Sequence, residues 1–460
     1  MNILAIAGSD VGRRILGFLA VAYLARTVGP SGFGLVNIAF AVLSYAMMLS
    51  GGGLPAYGAR SIAKGGPASI AATITGVRLA LSVVLVAIIG AGTFLFVPDK
   101  EAALVITIFC ASQVATSFLL DWYFQGKEQM GVIGVSRLVS AAVYLLFLVM
   151  FVSSRAEIVW VAVAAVAGDA MAALVTVARF QKEQGRAPGM SLEGGAKLFR
   201  EAFPIGLGSI IAHMTVNLPT LVVGIFLSTA DAGVYSAAGK LVAFLLVFDR
   251  LLATLLLPAS SRLYAESPER LSAVLSSALR WVLRIALPLC VGATLLADEL
   301  IATVYGGGYA EAGLVLRILV WFLLLTMLHT VYTSALLAAG EERRYGRVMV
   351  TSGVFYLVAV LFSTWRYGVA GAAVAIVAAE LATLALMRTE AAQHARMTLG
   401  WPAAASAIAA VVMGAAVALA PGIPLAGRIA LGAAVYAVAL FALRGITRAD
   451  FVVPGAGGVR

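Results

Sequence analysis

Long apolar runs broken by short polar punctuation dominate this chain. A helix needs about 20 mostly apolar residues to cross the hydrocarbon core of a bilayer. Runs of that kind lie near 10–28, 33–53, 76–97, 102–121, 131–152, 157–178, 202–228, 232–257, 281–297, 312–338, 348–365, 368–387, 401–420 and 423–443. Turn signals separate them, among them Gly29-Pro30-Ser31-Gly32, Pro98-Asp99 and Gly306-Gly307-Gly308. The predicted fold is an all-α integral membrane protein with about fourteen transmembrane helices. The division is least sharply marked between the last two runs, which are rich in alanine with Pro421 and Pro424 between them.

Composition agrees. Hydrophobic residues make up 62% and charged residues 12%, with a mean hydropathy of +1.00. A soluble domain is about 45–50% apolar and about 25% charged. Lipid must cover the excess apolar surface. A β-barrel would show short alternating strands instead of unbroken runs. The 47 glycines suit helices that pack closely in a bundle.

The formal net charge is +10. One set of loops carries Arg60, Lys64, Lys127, Arg179, Lys182, Arg186, Lys197, Arg200, Arg262, Arg270, Arg343, Arg344, Arg347, Arg388, Arg396, Arg444 and Arg448. The other set carries little beyond Arg26, Lys100, Arg155, Arg366 and Arg428. That asymmetry, roughly three to one, places both termini in the cytoplasm and makes the helix count even. Nucleic acid is not an expected partner, because no basic domain stands outside the spans. The longest loop, about 180–200, is cytoplasmic and too short for a catalytic domain. Arg13 and Arg14 follow the short apolar start, so the N-terminus does not read as a cleavable signal. Cys110 and Cys290 fall inside apolar runs and read as small buried hydrophobes. His213, His329 and His394 are scattered. Nothing calls for a metal or a cofactor.

The chain repeats itself. Val161–Phe180 (VAVAAVAGDAMAALVTVARF) aligns without gaps on Ala372–Ala391 (AAVAIVAAELATLALMRTEA), which sets Asp169 on Glu380. Gln125-Gly126-Lys127-Glu128 pairs with Ala339-Gly340-Glu341-Glu342, and Phe33-Gly34-Leu35-Val36 with Ala232-Gly233-Val234-Tyr235. Segments one to six thus match segments seven to twelve. An even number of spans per half makes this a parallel pseudo-two-fold repeat, a transporter architecture with the substrate path between the halves. The expected organisation is a six-helix bundle over 1–180, a cytoplasmic linker over 181–201 and a second six-helix bundle over 202–390. Two additional transmembrane helices over 400–445 and a cytoplasmic tail over 446–460 complete it.

Several segments resemble a known family. Arg14-Ile15-Leu16-Gly17-Phe18, Tyr23-Leu24-Ala25-Arg26 and Gly29-Pro30-Ser31-Gly32-Phe33-Gly34 look like the opening of bacterial polysaccharide repeat-unit flippases. These belong to the multidrug/oligosaccharidyl-lipid/polysaccharide exporter superfamily. Ala232 through Leu241 resembles their "vGxYxxAxkl" segment, with Pro258 and Ser261 as its "PxxS" continuation. Tyr305-Gly306-Gly307-Gly308-Tyr309 resembles the "fGxxy" loop, and Gly368 through Ala375 the "GxxGAAxA" start of helix twelve. The resemblance covers residues 8 to about 390. It implies two six-helix bundles arranged as a V, two extra C-terminal helices, and residence in the bacterial cytoplasmic membrane. The implied activity is translocation of an undecaprenyl-pyrophosphate-linked oligosaccharide to the periplasmic leaflet. A polysaccharide polymerase and other assembly proteins are the further partners expected. Two departures stand out. Many members carry an aspartate in helix seven where this chain has Asn217, and the peptidoglycan-precursor flippases carry a second arginine where this chain has Ala20.

Ionisable residues inside spans cost about 2.5–3.5 kcal/mol at mid-bilayer, so each needs a cavity or a partner. Arg14, Arg78, Arg137, Asp169, Lys240, Asp249, Arg250, Arg284, Arg317 and Glu380 are of this kind. Most are basic, which suits a pyrophosphate because guanidinium groups bind phosphate oxygens in forked pairs. Arg14, Arg78, Lys240, Arg250, Arg284 and Arg317 are therefore the candidate substrate-binding residues. The competing reading has Arg78, Arg137, Arg280 and Arg284 near the cytoplasmic surface, snorkelling to it. Asp169, Asn217, Asp249 and Glu380 are the candidates for coupling or gating. For Asp169 and Glu380 the alternative is a helix cap or structural ion pair. Asp249 and Arg250 point about 100° apart on a helix and need separate partners. Helix seven holds Pro204, Gly206, Gly208, His213, Asn217 and Pro219, a bendable set that suits a hinge or a packing kink equally. Trp122-Tyr123 reads as an interface anchor.

The expected function is a flippase working by alternating access, without catalytic residues. A cation-coupled multidrug exporter would favour acidic cavities. A membrane polymerase or ligase would need a sizeable outer loop and a catalytic set, and neither is found.

Overall fold

The computed structural model describes the backbone of residues 3–446 and the side chains of 12, 15–206 and 217–446. All regular structure in this range is helical. A bilayer core offers no hydrogen-bonding partner to the main chain, so each spanning segment must satisfy its own backbone groups. Among the described residues, ten helical stretches are long and apolar enough to cross a membrane, by length and composition. The chain is therefore a multi-pass, all-helical membrane protein.

The chain divides into two compact units, Met1–Gly233 and Val234–Arg460. The first holds α1 (Ile3–Gly51), α2 (Leu54–Ala63), α3 (Ile70–Phe96), α4 (Lys100–Thr116), α5 (Asp121–Gly126), α6 (Met130–Phe151), α7 (Ile158–Gln184) and α8 (Gly195–Phe226). The helix α9 (Thr229–Leu245) begins in the first unit and continues into the second. There follow α10 (Val247–Glu266), α11 (Pro268–Leu295), α12 (Ala297–Tyr305), α13 (Ala312–Leu319), α14 (Trp321–Ala338), α15 (Glu342–Ala391), α16 (Gly400–Ala418) and α17 (Leu425–Ala442).

Two breaks between predicted runs are made by single residues. The 49-residue α1 carries two predicted runs and leaves helical geometry only at Gly29, with φ 68° and ψ −179°. The 50-residue α15 does the same at Gly368, with φ 66° and ψ −149°. An L side chain rarely adopts such a φ. Pro30 then opens the second arm of α1, where its missing N–H would have had no partner in any case. The predicted run at 102–121 is a 17-residue helix, α4, started by Asp99, whose carboxylate accepts from the N–H groups of Glu101 and Ala102. The next reversal, between α6 and α7, closes on Glu157. Its carboxylate accepts from the Ser153 N–H (2.6 Å), the Ser153 hydroxyl (2.8 Å) and the Ser154 N–H (3.2 Å).

Trp122 and Tyr123 are not interface anchors. They are 3% and 1% exposed and form the core of the first unit with Leu54, Ile74, Phe124 and Phe180. The reason is that α5 is a six-residue helix tucked against α2, where Gly58 makes room for the Trp122 ring. Tyr123 stacks edge-on to Phe124 and Phe180, and its hydroxyl accepts from Gln184 at 2.9 Å. The linker after α7 is pinned to α3 by the bond from Ser191 N–H to the Ala72 carbonyl, 3.0 Å. The helix α8 runs unbroken through both Pro204 and Pro219. His213 and Gly208 lie outside the described side chains.

Helix α1 also touches main chain at Gly34, where a Cβ would overlap the carbonyl of Thr229. Overpacking of this kind costs about 1–3 kcal/mol. Gly34→Val is expected to lower the thermal unfolding midpoint of the detergent-solubilised protein. An unchanged midpoint would mean that the contact yields freely.

Candidate functional site

The second unit gathers four polar side chains from three of its helices. Asp249 follows the break between α9 and α10 at Leu246, inside the long apolar stretch Thr229–Glu266. Its Oδ1 accepts from the Thr330 hydroxyl of α14 at 2.6 Å. On the same helix, His329 Nδ1 lies 2.9 Å from Oε1 of Glu380 on α15. Glu380 is about 17 Å along the axis from both Gly368 and Ala391, so neither end of its helix arm is near. The imidazole and carboxylate are 16% and 14% exposed. Electrostatic interaction joins Asp249 to His329, Glu380 and Arg250 as well. Three helices thus bring two carboxylates and one imidazole together. The helix α14 also presents the hydroxyls of Thr326 and Thr333 and the Nε2 of His329, buried and without a hydrogen-bond partner.

A carboxylate beside an imidazole forms a hydrogen bond when the ring is neutral and an ion pair when the ring is protonated, and these two states differ in charge by one. Among the described residues no group of three or more His, Cys, Asp or Glu side chains is placed to hold a metal ion.

The first unit has its own charged group. Arg78 is 8% exposed and so does not snorkel to water; its Nη1 donates to the Leu119 carbonyl at 3.4 Å. It interacts with Asp121, which bonds Arg137 Nε at 3.1 Å and accepts from Ser136 at 3.2 Å. Asp121 was not singled out in the sequence because it stands at the edge of an apolar run. Asp169 is half-buried on α7, facing Ser112 of α4. Beside Ser112, the fully buried Gln113 has both amide atoms unbonded.

The remaining candidates are dispersed. Arg14 lies on α1 but outside the described side chains. Lys240 is half-buried on α9, and Arg250 is exposed on α10. Arg317 pairs with Asp298 between the short helices α13 and α12. Arg284 donates Nε and Nη2 to the Gly445 carbonyl at 3.0 and 2.5 Å, and so is engaged within its own unit rather than at the surface. Asn217 is half-buried on α8. Cys110 and Cys290 are buried free thiols.

Comparison with known proteins settles the family. The model of the family described as "Polysaccharide biosynthesis protein" matches residues 1–264. The chain belongs to that family. This polysaccharide biosynthesis family member is 22% identical over 404 residues to an Escherichia coli (strain K12) protein provisionally named an O-antigen transporter. The match covers 84% of this chain and 95% of that one. It is 24% identical over 186 residues to a Haloferax volcanii protein provisionally named the low-salt glycan biosynthesis flippase Agl15, covering 40% and 39% of the two chains. The fold is that of the lipid II flippase MurJ in an inward closed conformation, with a TM-score of 0.77 at 13% identity over 95% of this chain and 98% of that one. An inward-facing multidrug resistance MATE transporter of the MOP superfamily superimposes with a TM-score of 0.65 at 15% identity, covering 83% and 95%. The resemblance to polysaccharide repeat-unit flippases read in the sequence holds. The proteins of this likeness are transporters and flippases rather than enzymes, as expected.

Removing the Thr330 hydroxyl leaves a half-buried carboxylate without its donor, at a cost of about 1–3 kcal/mol. Thr330→Val is expected to lower the thermal midpoint in detergent, and Asp249→Asn in the same chain to recover much of the loss. Additive losses in the double variant would mean that the two side chains are not coupled.

Proposed function

We propose that this protein flips undecaprenyl-pyrophosphate-linked oligosaccharide repeat units across the bacterial cytoplasmic membrane for cell-surface polysaccharide synthesis. The observation that carries the reading is the near full-length match to a protein named for O-antigen transport. The polyprenyl tail stays in lipid while the sugar headgroup crosses by alternating access. Arg14, Lys240 and Arg250 are the proposed contacts of the pyrophosphate. Arg78, Arg284 and Arg317, engaged with neighbouring groups, would serve it less directly.

The proposed architecture is fourteen spans, with six in each of two repeats and two more at the C-terminus, and both termini in the cytoplasm. A charge-reversed junction supports the repeat. In the first unit Lys127 bonds Glu183 at 3.1 Å, and Arg179 bonds the same carboxylate at 3.1 Å. Extending the sequence alignment sets Lys127 on Glu341, Arg179 on Glu390 and Glu183 on His394. In the second unit His394 lies 3.9 Å from Glu341, and Arg344 bonds both Glu341 (3.1 Å) and Glu390 (3.4 Å). The same helix ends are joined in each unit with the signs exchanged.

The cluster of Asp249, Thr330, His329 and Glu380 is the proposed coupling element, with protonation of the His329–Glu380 pair setting the conformational preference. Asp169 and Asn217 stand as lesser candidates for the same role. A cation-coupled drug exporter of this fold is the second reading, and the choice between them is experimental. Deletion of the gene is expected to leave lipid-linked glycans in the cytoplasmic leaflet, read by lipid extraction and mass spectrometry and reversed by the wild-type gene. Altered sensitivity to cationic dyes, with unchanged lipid pools, would favour the exporter.

In proteoliposomes, an imposed pH gradient is expected to change the flipping rate of the wild type. His329→Gln and Glu380→Gln should each abolish that dependence while the proteins remain folded. A gradient response that survives both substitutions would remove this cluster from the coupling role.

A further inference from the structure

The polar residues of α11 form a ladder. Ser272, Ser276, Arg280 and Arg284 recur every fourth position and so share one helix face. Each meets the main chain of the segments that flank the last helix pair. The Ser272 hydroxyl accepts from the Arg396 N–H at 3.2 Å, and the Ser276 hydroxyl from the Thr398 N–H at 3.0 Å. Arg280 Nη1 donates to the Thr398 carbonyl at 3.5 Å. Arg284 grips the Gly445 carbonyl just past the end of α17, and Tyr436 of α17 returns a bond from its hydroxyl to the Arg284 carbonyl at 2.9 Å.

Beyond Arg284 the same helix turns apolar. Leu287 and Val291 pack against a core that includes Ala410 and Met413 of α16 and Leu440 of α17. Gly414 lets α16 approach: a Cβ at that position would sit 3.1 Å from Val291 Cγ1. At the opposite end Arg428, 8% exposed, pairs with Glu299 of α12 and donates to the Val417 carbonyl at 3.0 Å. The helix pair is therefore bonded to the second unit at both ends and packed against it between them. Charge-assisted bonds from arginine are roughly twice as strong as neutral ones, and low dielectric strengthens them further.

We infer that Arg284 is a positioning residue that, with Arg428, fastens α16–α17 onto α11–α12 so that the four helices move as one body during transport. It does not touch the substrate. This rests on the flippase reading only for its activity readout.

The test uses a disulfide between cysteines introduced by Val291→Cys and Gly414→Cys, in full-length protein carrying Cys110→Ala and Cys290→Ala. The cross-linked protein should flip lipid-linked glycan at the rate of its reduced form. Arg284→Gln, without the cross-link, should slow flipping by about tenfold, the effect of losing a charge-assisted hydrogen bond. It should also increase labelling of the thiol introduced at position 414. Closing the disulfide in the Arg284→Gln protein should restore the rate. A cross-link that arrests flipping in folded protein would overturn the proposal, because α16 would then have to slide on α11. An Arg284→Gln defect that persists when cross-linked would also overturn it and return the arginine to the substrate. If Arg284→Gln does not fold, Tyr436→Phe removes the return bond and should act in the same direction on labelling. Unchanged labelling there would count against docking. Should the parent protein flip no glycan at all, the flippase reading fails, and labelling at position 414 still decides the docking.

Discussion

A bilayer core supplies no hydrogen bonds to the main chain, and this constraint governs every level of the molecule. It forces the chain into helices and makes changes of direction expensive, so Gly29 and Gly368 each turn a helix with one residue. It also leaves charged side chains no solvent to fall back on. Asp249 is met by Thr330, Glu380 by His329, and Arg284 by the Gly445 carbonyl. A group that in water would be satisfied anywhere must here be satisfied by a particular neighbour.

The elements were legible in the sequence for the same reason. Apolar runs of spanning length leave few alternatives, and most predicted runs coincide with helices. The form of the turns was less legible. Gly29-Pro30-Ser31-Gly32 has the composition of a loop, yet three of its four residues are helical, because proline suits the first turn of a helix as well as it suits a loop. Trp122 and Tyr123 misled through position. Aromatic residues near a helix end are common at membrane interfaces. Only the tertiary placement of α5 beneath α2 shows them to be core.

The site was half legible. Asp249 and Glu380 stand out because a carboxylate within an apolar run is costly. Their partners do not, since the bonds join residues 81 and 51 positions apart. A threonine inside a span costs little and attracts no notice, and a lone histidine gives no sign of which carboxylate it will meet. Basic residues were over-read in the opposite sense. Every intramembrane arginine resembles a phosphate ligand in sequence, and Arg78, Arg284 and Arg317 prove to be engaged with neighbouring groups. Carbonyl acceptors are present at every residue, so sequence gives no sign of which one an arginine will choose.

That last point bears on how such contacts evolve. The grip of Arg284 on Gly445 is made to main chain, and a carbonyl carries no side-chain identity. A change at Gly445 would be felt in its packing, where a Cβ would crowd Leu440 and Ala405, and not in the acceptor it offers. Paired substitutions across related sequences are the usual trace of a contact. The main-chain bonds of the ladder on α11 should leave almost none, and contact maps inferred from co-variation will tend to miss them.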